Sequence, residues 1–260
     1  MGIRLDNVSY GDKIKNINYE FIDGKITGVI GCSNSGKSLL SYFLSNIISD
    51  YDGNIVSTYN IRDIGYVFQR PEEAFIFETV REEIAFGIKR YNYRVDEIDD
   101  RIATVLKMVG LPLSYLDKSP FTLSSGECES LALAIILILN PKVIILDDPT
   151  INLDNYRCDK LIKLLKRLSS RYKKMVILFS SDIDFLIKVI DNFVLLKKGK
   201  VISSGNKRDL INNINKFKNA SVNVPKIIKF IDTANKKYDV NLEYTFDIKE
   251  LMKDIYRNVK

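Results

Sequence analysis

Apolar and polar positions alternate over residues 3–8 and again over 17–22, with Gly11-Asp12-Lys13 between them, so the chain is predicted to begin with antiparallel β structure. Residues 25–30 read as a buried strand and 39–48 as an amphipathic helix, with short strands expected at 54–58 and 64–68. From about residue 80 to 168 the pattern is mostly helical. Charged helices such as 95–109 fill the stretch between Gln69 and Pro120, and a further helix is expected after Leu123, running to Leu139. Val143-Ile144-Ile145-Leu146 and Met175-Val176-Ile177-Leu178-Phe179 are apolar throughout, as parallel strands covered on both faces are. Together these elements predict an α/β domain over residues 1–205, with a parallel sheet core, an antiparallel β edge and a helical insertion at about 70–120. Beyond Gly205 the chain turns to Lys- and Asn-rich helical segments, broken at Val224-Pro225, with a last amphipathic helix expected at 251–259. Residues 206–260 therefore read as a small C-terminal helical appendix, with a dimer contact as its candidate role.

The chain has 260 residues, 46% of them hydrophobic, which suffices for a substantial core. Its longest apolar run, 131–139, stops at Asn140-Pro141, well short of the roughly 20 residues a membrane-spanning helix needs. Met1 leads directly into strand-like sequence with no targeting pattern, which predicts a cytoplasmic setting. Cys32, Cys128 and Cys158 are odd in number and lack metal-ligand spacing, consistent with a reducing compartment. The formal net charge of +6 is spread over scattered lysines. A solvated surface, attraction to an anionic membrane face and contact with nucleic acid all remain open readings. There is no histidine, so no imidazole base, metal ligand or switch can exist here.

The candidate chemistry lies first in Gly31-Cys32-Ser33-Asn34-Ser35-Gly36-Lys37-Ser38, which fits the phosphate-binding loop pattern between an expected strand and an expected helix. In that setting unpaired backbone N–H groups and the positive end of the helix dipole face a bound anion. Lys37 would reach the β- and γ-phosphates, and Ser38 would offer its hydroxyl to Mg²⁺, a hard cation that takes oxygen ligands. Downstream, Asp147 and Asp148 end an apolar strand. After a phosphate loop, the first acid suits Mg²⁺ held through water and the second suits polarisation of the attacking water.

With these residues in place, Leu123-Ser124-Ser125-Gly126-Glu127 resembles the signature sequence of ATP-binding cassette (ABC) ATPases. Val67-Phe68-Gln69 resembles the glutamine loop of that family, Asn152-Leu153-Asp154 the loop that crosses its dimer interface, and Tyr10 the aromatic residue that stacks on adenine. Order and spacing match as far as about Gly205. The resemblance implies a P-loop NTPase fold of the ABC type that binds ATP and Mg²⁺, with Gln69 in a catalytic and metal-binding role. Two cassettes would close head to tail, each phosphate loop completed by the partner's signature residues. Within the family, Gln69-Arg70-Pro71-Glu72 and Thr79-Val80-Arg81-Glu82-Glu83-Ile84-Ala85-Phe86-Gly87 are similar to the ATPase subunits of energy-coupling factor (ECF) importers of vitamins or transition-metal ions, as is the tail around Val224-Pro225-Lys226. That likeness implies a second ABC ATPase subunit, identical or more readily different, together with a transmembrane coupling protein and a substrate-binding membrane protein. It also implies a peripheral position on the cytoplasmic face and no nucleic-acid partner.

Several positions depart from the family pattern. Asp148 stands where glutamate is usual, Ser181 where the switch histidine is usual, Asn34 for the middle glycine of the phosphate loop, Ser125 for the first signature glycine, and Glu127 for glutamine. Asparagine is well tolerated if position 34 needs positive φ, so binding is expected to survive. Hydrolysis is expected to be slow, because the Asp148 carboxylate is shorter by one methylene and Ser181 supplies no imidazole. The chain then reads as the weaker half of an asymmetric pair. A catalytically silent ATP-responsive scaffold and a soluble non-transport cassette are the alternatives.

Overall fold

The computed structural model describes residues 2–89, 95–212 and 214–258. In chain order the main elements are β1 (Ile3–Tyr10), β2 (Ile14–Phe21), β3 (Ile26–Ile30), α1 (Lys37–Leu44), β4 (Asp52–Ser57), β5 (Ile64–Val67), α2 (Val80–Lys89), α3 (Val95–Val109), α4 (Ser125–Leu137), β6 (Val143–Asp147), α5 (Asn155–Ser170), β7 (Met175–Ser180), α6 (Ile183–Val189), β8 (Asn192–Lys197), β9 (Lys200–Asn206), α7 (Asp209–Asn212), α8 (Ile214–Asn219), α9 (Lys226–Tyr238) and α10 (Ile248–Asn258).

Two sheets result. The alternating segments at the start of the chain form a three-stranded antiparallel sheet in the order β2-β1-β4. The apolar runs form a six-stranded sheet, β5-β6-β7-β3-β8-β9, parallel except for β9, which returns antiparallel on β8. The strand period of two divides the residues of the central strands between two apolar layers. Ile144, Leu146, Val176 and Leu178 pack under the helices α2 to α6, whereas Val143, Ile145, Ile177 and Phe179 pack against α1 and the antiparallel sheet, meeting Leu5, Val8, Ile17 and Phe43. Each such side chain is fully buried, worth roughly 1.5–3 kcal/mol of transfer free energy. Among the described residues no helix is long and apolar enough to cross a membrane.

Some boundaries differ from expectation for identifiable reasons. Helix α1 ends at Leu44 rather than 48 because Asn46 takes a left-handed conformation (φ 56°), and the N–H groups of Ile47 and Ile48 fold back on the Tyr42 carbonyl. Helix α10 begins at Ile248, where the Asp247 carboxylate accepts from the Lys249 N–H at 2.8 Å; Val259 lies outside the described residues. In the C-terminal part, Leu210, Phe217, Ala220 and Val222 belong to the main core. A separate small cluster of Val224, Ile228, Ile231, Leu242 and Leu251 begins only at the Val224-Pro225 break.

Candidate functional site

The loop between β3 and α1 is shaped by residues that tolerate unusual backbone. Asn34 has φ 61° and Gly36 φ 102°, so asparagine does occupy a left-handed position. A Cβ on Gly36 would lie 2.7 Å from Ile14 Cδ1, and one on Gly31 2.3 Å from Ser35 Oγ. Lys37 is buried, and its Nζ donates to the carbonyls of Gly31 at 2.9 Å and Cys32 at 3.1 Å, folding the loop around the ammonium. The Ser35 hydroxyl is buried without a partner. Two neighbouring turns lock this loop from below. The Gly199 N–H in the β8–β9 turn donates to the Ser35 carbonyl (2.9 Å), and the Gly199 carbonyl accepts from the Lys15 N–H (2.8 Å).

A cavity of about 720 Å³ opens above the loop. Ser33, Asn34, Gly36, Lys37 and Ser38 line it from the loop, Gln69 and Asp148 from the ends of β5 and β6, and Lys13, Lys15 and Lys198 from the two turns. Asp147 is buried, and the Ser38 side chain lies near enough to act on its carboxyl, so the phosphate loop and the acid-tipped strand come together. The Tyr66 hydroxyl, itself 2.9 Å from Ser41 Oγ, donates to Asp147 Oδ2 at 3.4 Å. Asp147 Oδ1 is buried and without a partner. Burial pushes the Asp147 carboxyl above its ordinary range and the Asp148 charge adds to this, while Ser38, Lys37 and Tyr66 act in the opposite direction. Burial and the charge of Asp147 likewise hold the Tyr66 phenol far above its usual value. An unpaired buried carboxylate oxygen is costly by itself. With the Ser38 side chain acting on the same carboxyl, it fits the oxygen-ligand chemistry of a hard divalent cation.

Asp148 follows with φ 46°, its N–H donating to the Phe179 carbonyl at 2.7 Å. Its Oδ1 accepts from the Ser181 N–H at 3.1 Å, so the two residues that depart from the family pattern are neighbours. Tyr10 is not among the residues lining the cavity. Its ring packs on Phe43, with centroids 5.6 Å apart, against the layer between the sheets.

Ser124, Ser125, Gly126, Glu127 and Asp154 also lie away from the cavity, at the starts of α4 and α5. Ser124 caps α4, and Glu127 Oε2 accepts from both its N–H (2.9 Å) and its hydroxyl (2.8 Å). These bonds hold the Glu127 carboxyl below its ordinary range. Asp154 caps α5 by accepting from the Arg157 N–H at 2.7 Å. The Arg157 guanidinium lies 3.6 Å from Glu127 Oε1 and 3.9 Å from Asp154 Oδ2, and packs on Gly126. Tyr66, Ser41, Lys13, Lys15, Lys198 and Arg157 escaped the sequence reading. A tyrosine inside an expected strand three residues before Gln69 was the available cue for the first.

On α4, Glu129 is 4% exposed, its Oε1 lacks a partner, and burial together with the charge of Glu72 pushes its carboxyl up to about 8. An acid whose folded value exceeds its unfolded one costs stability as pH rises between the two, here from about 4.5 to about 8. Glu129→Gln is expected to raise Tm by ~5 °C at pH 8 and by little at pH 5, measured by thermal denaturation. A pH-independent difference would remove the assigned cause.

A fold with a phosphate loop at the C-terminal edge of a parallel sheet and an acid-tipped strand one strand removed from it is that of P-loop nucleotide-binding proteins. The ABC transporter family model matches residues 14–151, and the chain belongs to that family, whose ATPase domain binds ATP. It is 30% identical over 280 residues to the energy-coupling factor transporter ATP-binding protein EcfA2 of Clostridium acetobutylicum, an alignment covering 99% of this chain and 98% of that protein. The corresponding protein of Caldanaerobacter subterraneus is 30% identical over 258 residues, covering 91% and 90%. Among solved structures, cbiO1 of Clostridium perfringens, part of the ABC transporter complex cbiONQ, matches with TM-score 0.74 and 26% identity over 88% of this chain and 98% of that one. A bacterial ABC transporter cassette solved as a dimer matches with TM-score 0.70 and 27% identity over 79% and 99%.

Proposed function

We propose that this chain is the ATP-binding subunit of an energy-coupling factor type importer, taking up a vitamin or a metal ion. The observation that carries the reading is the buried, unpartnered Asp147 Oδ1 beside the phosphate loop, next to a cavity lined by Lys13, Lys15, Lys37 and Lys198, in a chain similar to ECF ATP-binding proteins over nearly its whole length. Lys37 and the loop N–H groups would hold the β- and γ-phosphates, while Ser38, Gln69 and Asp147 would hold Mg²⁺, which when bound neutralises phosphate charge. Asp148 would orient the attacking water, with Ser181 beside it. Ser124, Ser125, Gly126 and Glu127 would face the nucleotide of a second, different cassette, and Asp154 would cross the interface, linked to the signature by Arg157. Residues 206–260 would add a dimer contact. The exposed Ile248, Met252 and Tyr256 along one side of α10 support that role.

In this reading the subunit sits on the cytoplasmic face under a coupling protein and a substrate-binding membrane protein, and hydrolyses ATP slowly. A silent ATP-responsive scaffold is the second reading, favoured by the Ser181 N–H that already occupies one oxygen of Asp148. Purification of the tagged chain from detergent-solubilised membranes, with mass-spectrometric identification of associated chains, is expected to yield a second cassette and two membrane proteins. Recovery from the soluble fraction with salt-sensitive nucleic acid would refute it in favour of a non-transport cassette.

A further inference from the structure

The residue expected to stack on adenine is half-buried, its ring laid on Phe43 and away from the cavity lining. Tyr10 ends β1, pairs with Ile14 across a turn of three residues, and lays its ring on Phe43, which in turn packs on Tyr51. Among the described residues no aromatic side chain lines the cavity above the phosphate loop, and Leu39 is the one large apolar contributor.

The turn itself cannot swing outward freely. An added Cβ on Gly199 would meet the Lys13 carbonyl at 2.1 Å, the Lys15 N–H is bonded to the Gly199 carbonyl, and the Gly199 N–H is bonded to Ser35 in the phosphate loop. Three turns are thereby clamped together, and around the cavity the lysines Lys13, Lys15, Lys37 and Lys198 outnumber the acids Asp12 and Asp148. Lys13 and Lys198 are exposed and Lys15 is half-buried, with Lys15 Nζ 3.6 Å from Asp12. With Lys37, four ammonium groups border one cavity.

We infer that this cavity recognises its ligand by the polyphosphate and not by the base, so that Lys13, Lys15 and Lys198 set a specificity for nucleoside triphosphates in general. The inference rests on the nucleotide-binding reading above and departs from the adenine selectivity that a stacked ring would confer. Stacking of a base on an aromatic side chain is worth roughly five- to a hundredfold in affinity. Without it, what distinguishes ligands is their charge, and charge is common to all triphosphates.

The test is a set of dissociation constants for the full-length chain with Mg²⁺ and ATP, GTP, CTP or inorganic tripolyphosphate, measured by calorimetry at two salt concentrations. The three nucleotides are expected to agree within about threefold, with tripolyphosphate within about tenfold of them. The double variant Lys13→Ala/Lys198→Ala should weaken all four by a similar factor of about ten and flatten their salt dependence. Tyr10→Leu, whatever it does to stability, should leave the ratio of ATP to GTP affinity unchanged. An ATP preference above about twentyfold, or a ratio that collapses on Tyr10→Leu, would overturn the inference while leaving the family reading intact. Failure of every triphosphate to bind would overturn both.

Discussion

The isolated chain with Lys37→Ala is expected to lose about a hundredfold in MgATP affinity, with a Tm within a few degrees of the parent. The Lys37 ammonium is buried between two backbone carbonyls, so it is already desolvated and poised at the mouth of the loop. Exchanging those neutral acceptors for anionic phosphate oxygens pairs the ammonium with opposite charge, and losing hydrogen bonds to a charged group, roughly 1.5–3 kcal/mol each, accounts for the factor. Calorimetric titration reads the affinity directly. An unchanged dissociation constant would dislodge residues 31–38 from the nucleotide site, and Lys37→Arg, which keeps the charge but not the fit, should fall between the two.

The second large effect is a gain. Asp148→Glu combined with Ser181→His is expected to raise steady-state ATP turnover of the assembled complex by about tenfold or more. The added methylene advances the carboxylate by roughly 1.5 Å, on the scale at which catalytic geometry is worth about a hundredfold. The backbone opposes the change. Asp148 sits at φ 46°, a conformation that aspartate enters more easily than glutamate, so Tm should fall by a few degrees as turnover rises. Opposite signs for rate and stability would distinguish repaired chemistry from a general improvement in folding. If turnover stays flat, the Asp148 and Ser181 departures are neutral and slow hydrolysis needs another cause.

The sheet core was readable because its strands are apolar throughout or broadly alternating, and both patterns report burial directly. Residues 31–38 and 147–148 were readable because phosphate chemistry demands particular residue types at fixed spacing next to a strand. The β8–β9 hairpin was not foreseen, since Lys198-Gly199 is an unremarkable turn until its carbonyl is found bonded to Lys15. Tyr10 shows the opposite failure. Its type and approximate position suited a stacking ring, but β1 shifts register between Val8 and Tyr10, and the ring comes to lie on Phe43. The contacts of Tyr66 with Asp147 and of Arg157 with Glu127 span long stretches of chain. No local pattern encodes such contacts.

The strand that carries the phosphate loop also fixes when the site can mature. β3 is synthesised early, yet its only neighbours in the sheet are β7 and β8, the second ending at Lys197 of 260 residues. During translation, residues 26–30 must wait as an unpaired apolar segment until about three quarters of the polypeptide has emerged, a long-range closure of the kind that slows folding and invites misassociation. A nascent chain truncated before residue 192 should be unable to retain nucleotide, however intact its loop sequence.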